Sequence, residues 1–374
     1  MSALKGLKVL ELAAIGPAPF CGMMLADFGA DVVRIERPVA KRGLTTELGR
    51  DVLNRGKRSI AIDLKHPEGV AIALELVAKA DIIIEGHRPG VMERLGLGPD
   101  VCLALNPRLV YGRITGFGQD GPLAQRAGHD INYIALSGVL GMLGTPERPA
   151  IPANLVGDFG GGGMMLAFGV LAAAFHAQRT GMGQVVDAAM IDGSAVLMTA
   201  VMAMRAAGLW NDTRATNLLD GGAPFYNVYT TQDGKHVAVG PIEPQFRAIF
   251  LERLGLSPDI NMLDPDEWPA QRAQLEVVFA TKTRAEWESI FTDTDACVFP
   301  VLSIAEAPSY PHNAARKTFV EVDGVAQPAP APKLTKTPAT LNAAPPNVGQ
   351  DTRAILRELG RDADDLVKRG IVLA

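Results

Sequence analysis

The sequence predicts an α/β protein whose first part is a parallel sheet covered by helices. Two observations lead there. Between Leu7 and Ile114, short apolar runs alternate with helical stretches, the rhythm of βαβ units. The runs are apolar throughout instead of alternating with polar residues, as in strands buried on both faces.

The elements follow in order. Leu7–Leu12 is the first expected strand. Pro19–Asp27 follows as a helix, with Pro near its start, where a missing N–H does no harm. Gly29 ends it. Asp31–Glu36 and Ser59–Leu64 are strands. Pro67–Lys79 has helical periodicity with Pro in its first turn. Asp81–Glu85 and Arg108–Ile114 are strands. The apolar stretches 160–174 and 185–208 are expected as buried helices. Beyond them His236–Val239 reads as a strand after the turn at Asp233-Gly234. Gln245–Leu254, Glu267–Phe279 and Arg284–Phe291 read as helices, and so do Asp351–Gly360 and Ala363–Arg369. Residues 326–347 hold six prolines and predict an extended arm. Ligands in such sheets sit beyond the carboxyl ends of the strands. The loop Ala13–Pro19 and the segments starting at Gly86 and Thr115 are therefore candidate sites.

Composition excludes several classes. With 36 basic against 41 acidic residues the net charge is −5, so there is no basic footprint for nucleic acid. Aromatic residues are 6% of the 374, and the core is expected to be Ala, Val, Leu, Ile and Met. Three widely spaced cysteines, Cys21, Cys102 and Cys297, give neither a disulfide framework nor metal-ligand spacing. Lys5, Lys8, Glu11, Pro17 and Pro19 interrupt the N-terminal stretch, which does not read as a signal peptide. Asp187, Asp192 and Arg205 argue against a membrane span in 185–208. The expected location is the cytoplasm, without membrane contact.

Gly116–Gly121 matches GxGxxG after an expected strand. Pro122 follows it in place of the helix a dinucleotide site requires, so the match is set aside. The informative stretch is Gly128–Gly163. His129 precedes an apolar helical run. Asp158 precedes four glycines, Gly160–Gly163, and a second apolar helix. An Asp at such a place can cap a helix or carry chemistry. Glycines there let a ligand approach the backbone and aim N–H groups at developing negative charge.

AAIGPAPFCGMMLADFGADVVRIERP, EGHRPGVMERLGLGPD, ITGFGQDGP, AGHDINYIALSGVL, NLVGDFGGGG, GQVVDAAMIDGSAVL and LDGGAPFYNVYTTQDGKHVAVGPIEPQF together resemble the class III CoA-transferase superfamily. Within it they are similar to the α-methylacyl-CoA racemases. The resemblance runs from about residue 3 to 320 and continues weakly in GQDTRAILRELG. It implies a Rossmann-like large domain (1–205 and 310–374), a smaller α+β domain (215–305), the Pro-rich connecting arm 326–347 and an interlocked homodimer. It also implies an acyl-CoA substrate and no separate cofactor, CoA being part of the substrate.

Racemising a 2-methylacyl thioester needs two acid/base groups flanking a weak carbon acid, and stabilisation of the enolate oxygen. By resemblance His129 and Asp158 are the two bases, and Glu243 orients the imidazole. Asn154 is placed to hold the Asp158 carboxylate, and the Asp130 backbone N–H is the candidate enolate contact. An Asp that is protonated for part of a cycle needs raised proton affinity, most simply through burial. Arg37, Arg88 and Arg94 match basic positions suited to the phosphates of CoA. Ile62 lies where the family's edge strand meets the adenine. Tyr133 and Tyr226 either line the acyl pocket or pack. Two other readings remain: a CoA-transferase with Asp158 as nucleophile, which needs no opposing base, and a CoA-binding protein without turnover. His129 followed by Asp-Ile-Asn-Tyr favours racemisation.

Overall fold

The computed structural model describes residues 2–38, 51–341 and 343–374. The chain divides into two compact units: Met1–Ser137, Pro152–Leu197 and Ala315–Ala374 form the first, Gly138–Ile151 and Met198–Ala314 the second. Residues 138–151, which the sequence reading assigns to the large domain, thus cluster with the second unit.

The first unit is built on β1 (Lys8–Leu12), α1 (Pro17–Asp27), β2 (Asp31–Glu36), β3 (Arg58–Ile62), α2 (Pro67–Lys79), β4 (Ile82–Glu85), α3 (Val91–Arg94), α4 (Pro99–Leu105), β5 (Val110–Thr115) and α5 (Asp130–Ser137). A π-helical segment, Leu155–Met164, runs into α6 (Met165–Thr180), followed by β6 (Gln184–Ala189) and α7 (Met190–Leu197). Here the structure corrects the sequence: 185–208 does not begin as a helix, because Gln184–Ala189 pairs in parallel with β5 over six residues.

After the second unit the chain returns through a hairpin (Phe319–Val322 with Val325–Pro328), the helices Thr352–Glu358 and Ala363–Lys368 and a last two-residue strand, Val372–Leu373. That strand lies antiparallel on β3. The sheet order is therefore Val372–Leu373, β3, β2, β1, β4, β5, β6, with every other pairing parallel. Strand order reverses between β1 and β4, and in such sheets the crevice beyond that point is where ligands sit. Aliphatic side chains fill both faces: Leu10, Ile35, Ile60, Ile62 and Ile83 on one, Val9, Val32, Ile82, Ile84 and Leu166 on the other.

Two buried charge clusters fasten α1. Glu11 and Lys57, both fully buried, pair at 2.7 Å, and Arg34 also pairs with Glu11. Lys57 Nζ donates to Pro19 O in the first turn of α1 at 2.9 Å. At the other end Arg55 donates to both Asp27 oxygens, at 3.0 and 2.6 Å, and to Gln327 Oε1 and Pro328 O. The start of the Pro-rich arm is thereby tied to the same helix.

The second unit carries a three-stranded antiparallel sheet, β7 (Asn227–Thr230), β8 (His236–Val239) and β9 (Val298–Pro300). Against it lie helices Pro244–Leu254, Trp268–Phe279 and Arg284–Phe291. Its core is aromatic, with Phe225, Tyr229, Phe250, Phe279, Trp287 and Phe291 buried. The aliphatic core expected for the whole chain belongs to the first unit. Arg214 ties residues 138–151 to this unit by donating to the carbonyls of Thr145, Gly141 and Pro146.

Among the described residues, Leu155–Thr180 is the one helical stretch long and apolar enough to cross a membrane. Leu166, Ala167, Val170, Ala173, Ala174 and Ala177 on it are packed in the core of the first unit. Phe168 and Phe175 are 75% and 62% exposed.

Candidate active site

The site forms at the reversal of strand order. The loop after β1 passes so close to the one after β4 that a Cβ on Gly86 would lie 3.1 Å from the Ala14 Cβ. The same loop ends at Gly16, which precedes α1 with φ of 73°, a left-handed conformation that favours glycine. A Cβ there would lie 3.4 Å from Asp158 Oδ2. The Asp158 carboxylate thus sits against the start of α1.

Asp158 is half-buried in the π-helical segment, a widened helical form frequent at functional sites. Asn154 Nδ2 donates to its Oδ2 at 3.1 Å. Burial pushes the carboxyl above the usual carboxylate range; the Asn154 hydrogen bond works against this, the Asp130 charge adds to it, and His129 draws it back. His129 is therefore within electrostatic reach of Asp158. The imidazole-bearing residue is exposed at the start of α5, and its backbone N–H donates to Asn132 Oδ1 at 3.0 Å. Asp130 opens α5, where backbone N–H groups have no partner within the helix. Its side chain makes a contact the sequence did not suggest: Oδ1 accepts the backbone N–H of Asp158 at 2.6 Å.

The glycine run serves close packing. A Cβ on Gly161 would lie 2.6 Å from Ser194 N, and one on Gly193 would overlap the Gly161 carbonyl oxygen. On Gly163 it would meet Phe20 Cδ1 at 2.7 Å and Pro17 O at 2.8 Å. The glycines let the π-helical backbone press on α1 and α7, with Phe20 and Phe159 in ring contact at 4.9 Å.

The remaining candidates divide by place. Arg37 follows β2, Arg88 follows β4 and Arg94 ends α3, all exposed near the carboxyl ends of the strands. Arg34 and Arg113, by contrast, are buried in ion pairs. Ile62 ends β3, but β3 is not an edge strand here, since Val372 pairs with Ile62. The Ile62 side chain is fully buried, which leaves only its backbone for a ligand. Tyr133 packs: it donates to Gly128 O, meets Phe117 edge-on at 5.0 Å, and fills space that a side chain on Gly116 would take. Burial pushes its phenol up to about 12. Glu243 and Tyr226 belong to the second unit. Glu243 precedes the helix Pro244–Leu254 without capping it through its side chain, and Tyr226 is 37% exposed. The loop around Gly16 is a candidate site from the sequence, but neither Gly16 itself nor the Asp130 carboxylate is marked there. The positive φ and the buried hydrogen bond that single them out exist only in the fold.

The sequence model of CoA-transferase family III matches residues 4–352. The chain is 47% identical over 371 residues to the alpha-methylacyl-CoA racemase of Mus musculus, covering 98% of this chain and 95% of that protein. It is 46% identical over 369 residues to that of Homo sapiens, covering 97% and 95%. A crystal structure of a CAIB/BAIF family protein from Brucella suis superposes with a TM-score of 0.82 at 26% identity, over 96% of this chain and 99% of that one.

Proposed function

The chain belongs to CoA-transferase family III, and from its 46–47% identity to alpha-methylacyl-CoA racemases over nearly its whole length we propose that it is an isomerase, interconverting the (2R) and (2S) forms of 2-methylacyl-CoA thioesters. One base removes the proton α to the thioester, and the electron pair moves onto the carbonyl oxygen. The other base then delivers a proton to the opposite face. His129 and Asp158 are the two bases. The Asp130 N–H is the donor to the enolate oxygen, and Glu243 orients the imidazole. Arg37, Arg88 and Arg94 take the phosphates of CoA, the Ile62 backbone meets the adenine, and Tyr226 lines the acyl end. Tyr133 supports the site from the core. The chemistry asks for no separate cofactor. The protein acts as an interlocked homodimer, a reading supported by the exposed apolar side chains of α6.

The observation that carries this reading is the pairing of a half-buried Asp158, whose proton affinity burial raises, with an imidazole in electrostatic reach. A carboxylate that only attacks a thioester needs no such neighbour. The test is one enantiomer of a 2-methylacyl-CoA in D₂O with no second acid present. α-Deuterium entering together with loss of configuration is expected. Retained proton and configuration, with CoA passing to an added carboxylate, would establish the transferase instead.

A further inference from the structure

The Asp130 side chain is unlike the rest of the site in one respect. It is 5% exposed, yet only one of its two oxygens is engaged: Oδ1 holds the Asp158 backbone N–H at 2.6 Å, and Oδ2 is buried with no hydrogen-bond partner. Leaving a buried carboxylate oxygen unsatisfied forfeits its hydration with nothing in return, and more so for a charged group. The fold also makes room for it. A Cβ on Gly157 would stand 2.5 Å from Asp130 Oδ1 and 2.9 Å from its Cγ. Such an arrangement is a poor stability device, and unexplained buried polar atoms cluster where chemistry needs them.

We propose that the Asp130 carboxylate is a positioning residue for proton transfer: it ties the backbone of one base to the residue next to the other. This rests on the two-base reading above. The hydrogen bond joins α5 directly behind His129 to the π-helical turn at Asp158, so the spacing of the two bases passes through a single side chain. The charge acts on Asp158 in the same sense as burial. His129 immediately precedes α5 and Asp130 opens it, and the first turn of α1 has no acidic residue. Asp192 on α7 acts on Asp187, and Arg88 acts on Tyr133.

The test compares Asp130→Asn with Asp130→Ala by the pH profile of α-deuterium exchange. Asn keeps an acceptor for the Asp158 N–H and removes the charge. Losing a nearby negative charge makes Asp158 more acidic, so the acid limb of kcat should move to lower pH, with KM within twofold. Ala also removes the clamp, and kcat should fall by a further ~10- to 100-fold, as small misplacements of a catalytic group do. A wild-type pH profile in the Asn variant overturns the proposal, as does an Ala variant that loses only thermal stability. Should the wild-type enzyme itself fail to exchange the α-proton, the two-base reading falls first and this proposal with it.

Discussion

Asp158 holds a proton more tightly than an ordinary aspartate because burial outweighs its hydrogen bond from Asn154. A group whose folded proton affinity is raised adds stability below its unfolded pKa and loses that contribution as pH rises through the folded value. Asp158→Asn should therefore unfold at a higher temperature than the wild type near neutral pH, an advantage that disappears below pH ~4, as melting curves across pH will report. Epimerisation by the same variant, and by His129→Gln, should fall by about 10²- to 10⁴-fold. CoA binding should survive in both, measured by calorimetry. A residue that improves stability when neutralised and destroys turnover is what a site strained for chemistry predicts. The Asn154–Asp158 hydrogen bond was legible in their four-residue spacing, whereas His129 and Asp158 stood out as a pair only through the family resemblance. The Asp130 carboxylate was not legible, because its only signal is a backbone N–H donated from 28 residues away.

Among the elements, the parallel strands were readable because burial on both faces leaves continuous apolar runs. β6 was not. QVVDAA runs into Met190 with no Pro or Gly between strand and helix, and an alanine-rich apolar stretch suits both. The π-helical turn was equally hidden, since its wide backbone depends on α1 and α7 pressing against its glycines. Two variants probe this layer. Gly193→Ala would drive a methyl into the Gly161 carbonyl and should cost about 3 kcal/mol or prevent folding. Lys57→Met leaves Glu11 buried with Arg34 alone and frees the first turn of α1. It should cost about 3 kcal/mol, read from urea midpoints, and it should also lower epimerisation, because Gly16, which leads into α1, lies against Asp158.

For the whole molecule, the two units differ in chemistry: an aliphatic core under a parallel sheet and an aromatic core beside an antiparallel one. Average composition concealed that contrast, because most of the buried aromatic side chains lie in the second unit. Exposed Phe168 and Phe175 predict a dimer in solution, and Phe168→Glu with Phe175→Glu should yield monomers by light scattering, with epimerisation lost. The two-residue strand Val372–Leu373 has a consequence in time. A ribosome delivers β3 some 300 residues before its outer neighbour, so throughout synthesis that flank offers unpaired N–H and C=O groups to any passing strand. Deleting residues 370–374 would make this temporary exposure permanent. The shortened chain should collect in the insoluble fraction on expression, even though the deletion lies outside every residue assigned to catalysis.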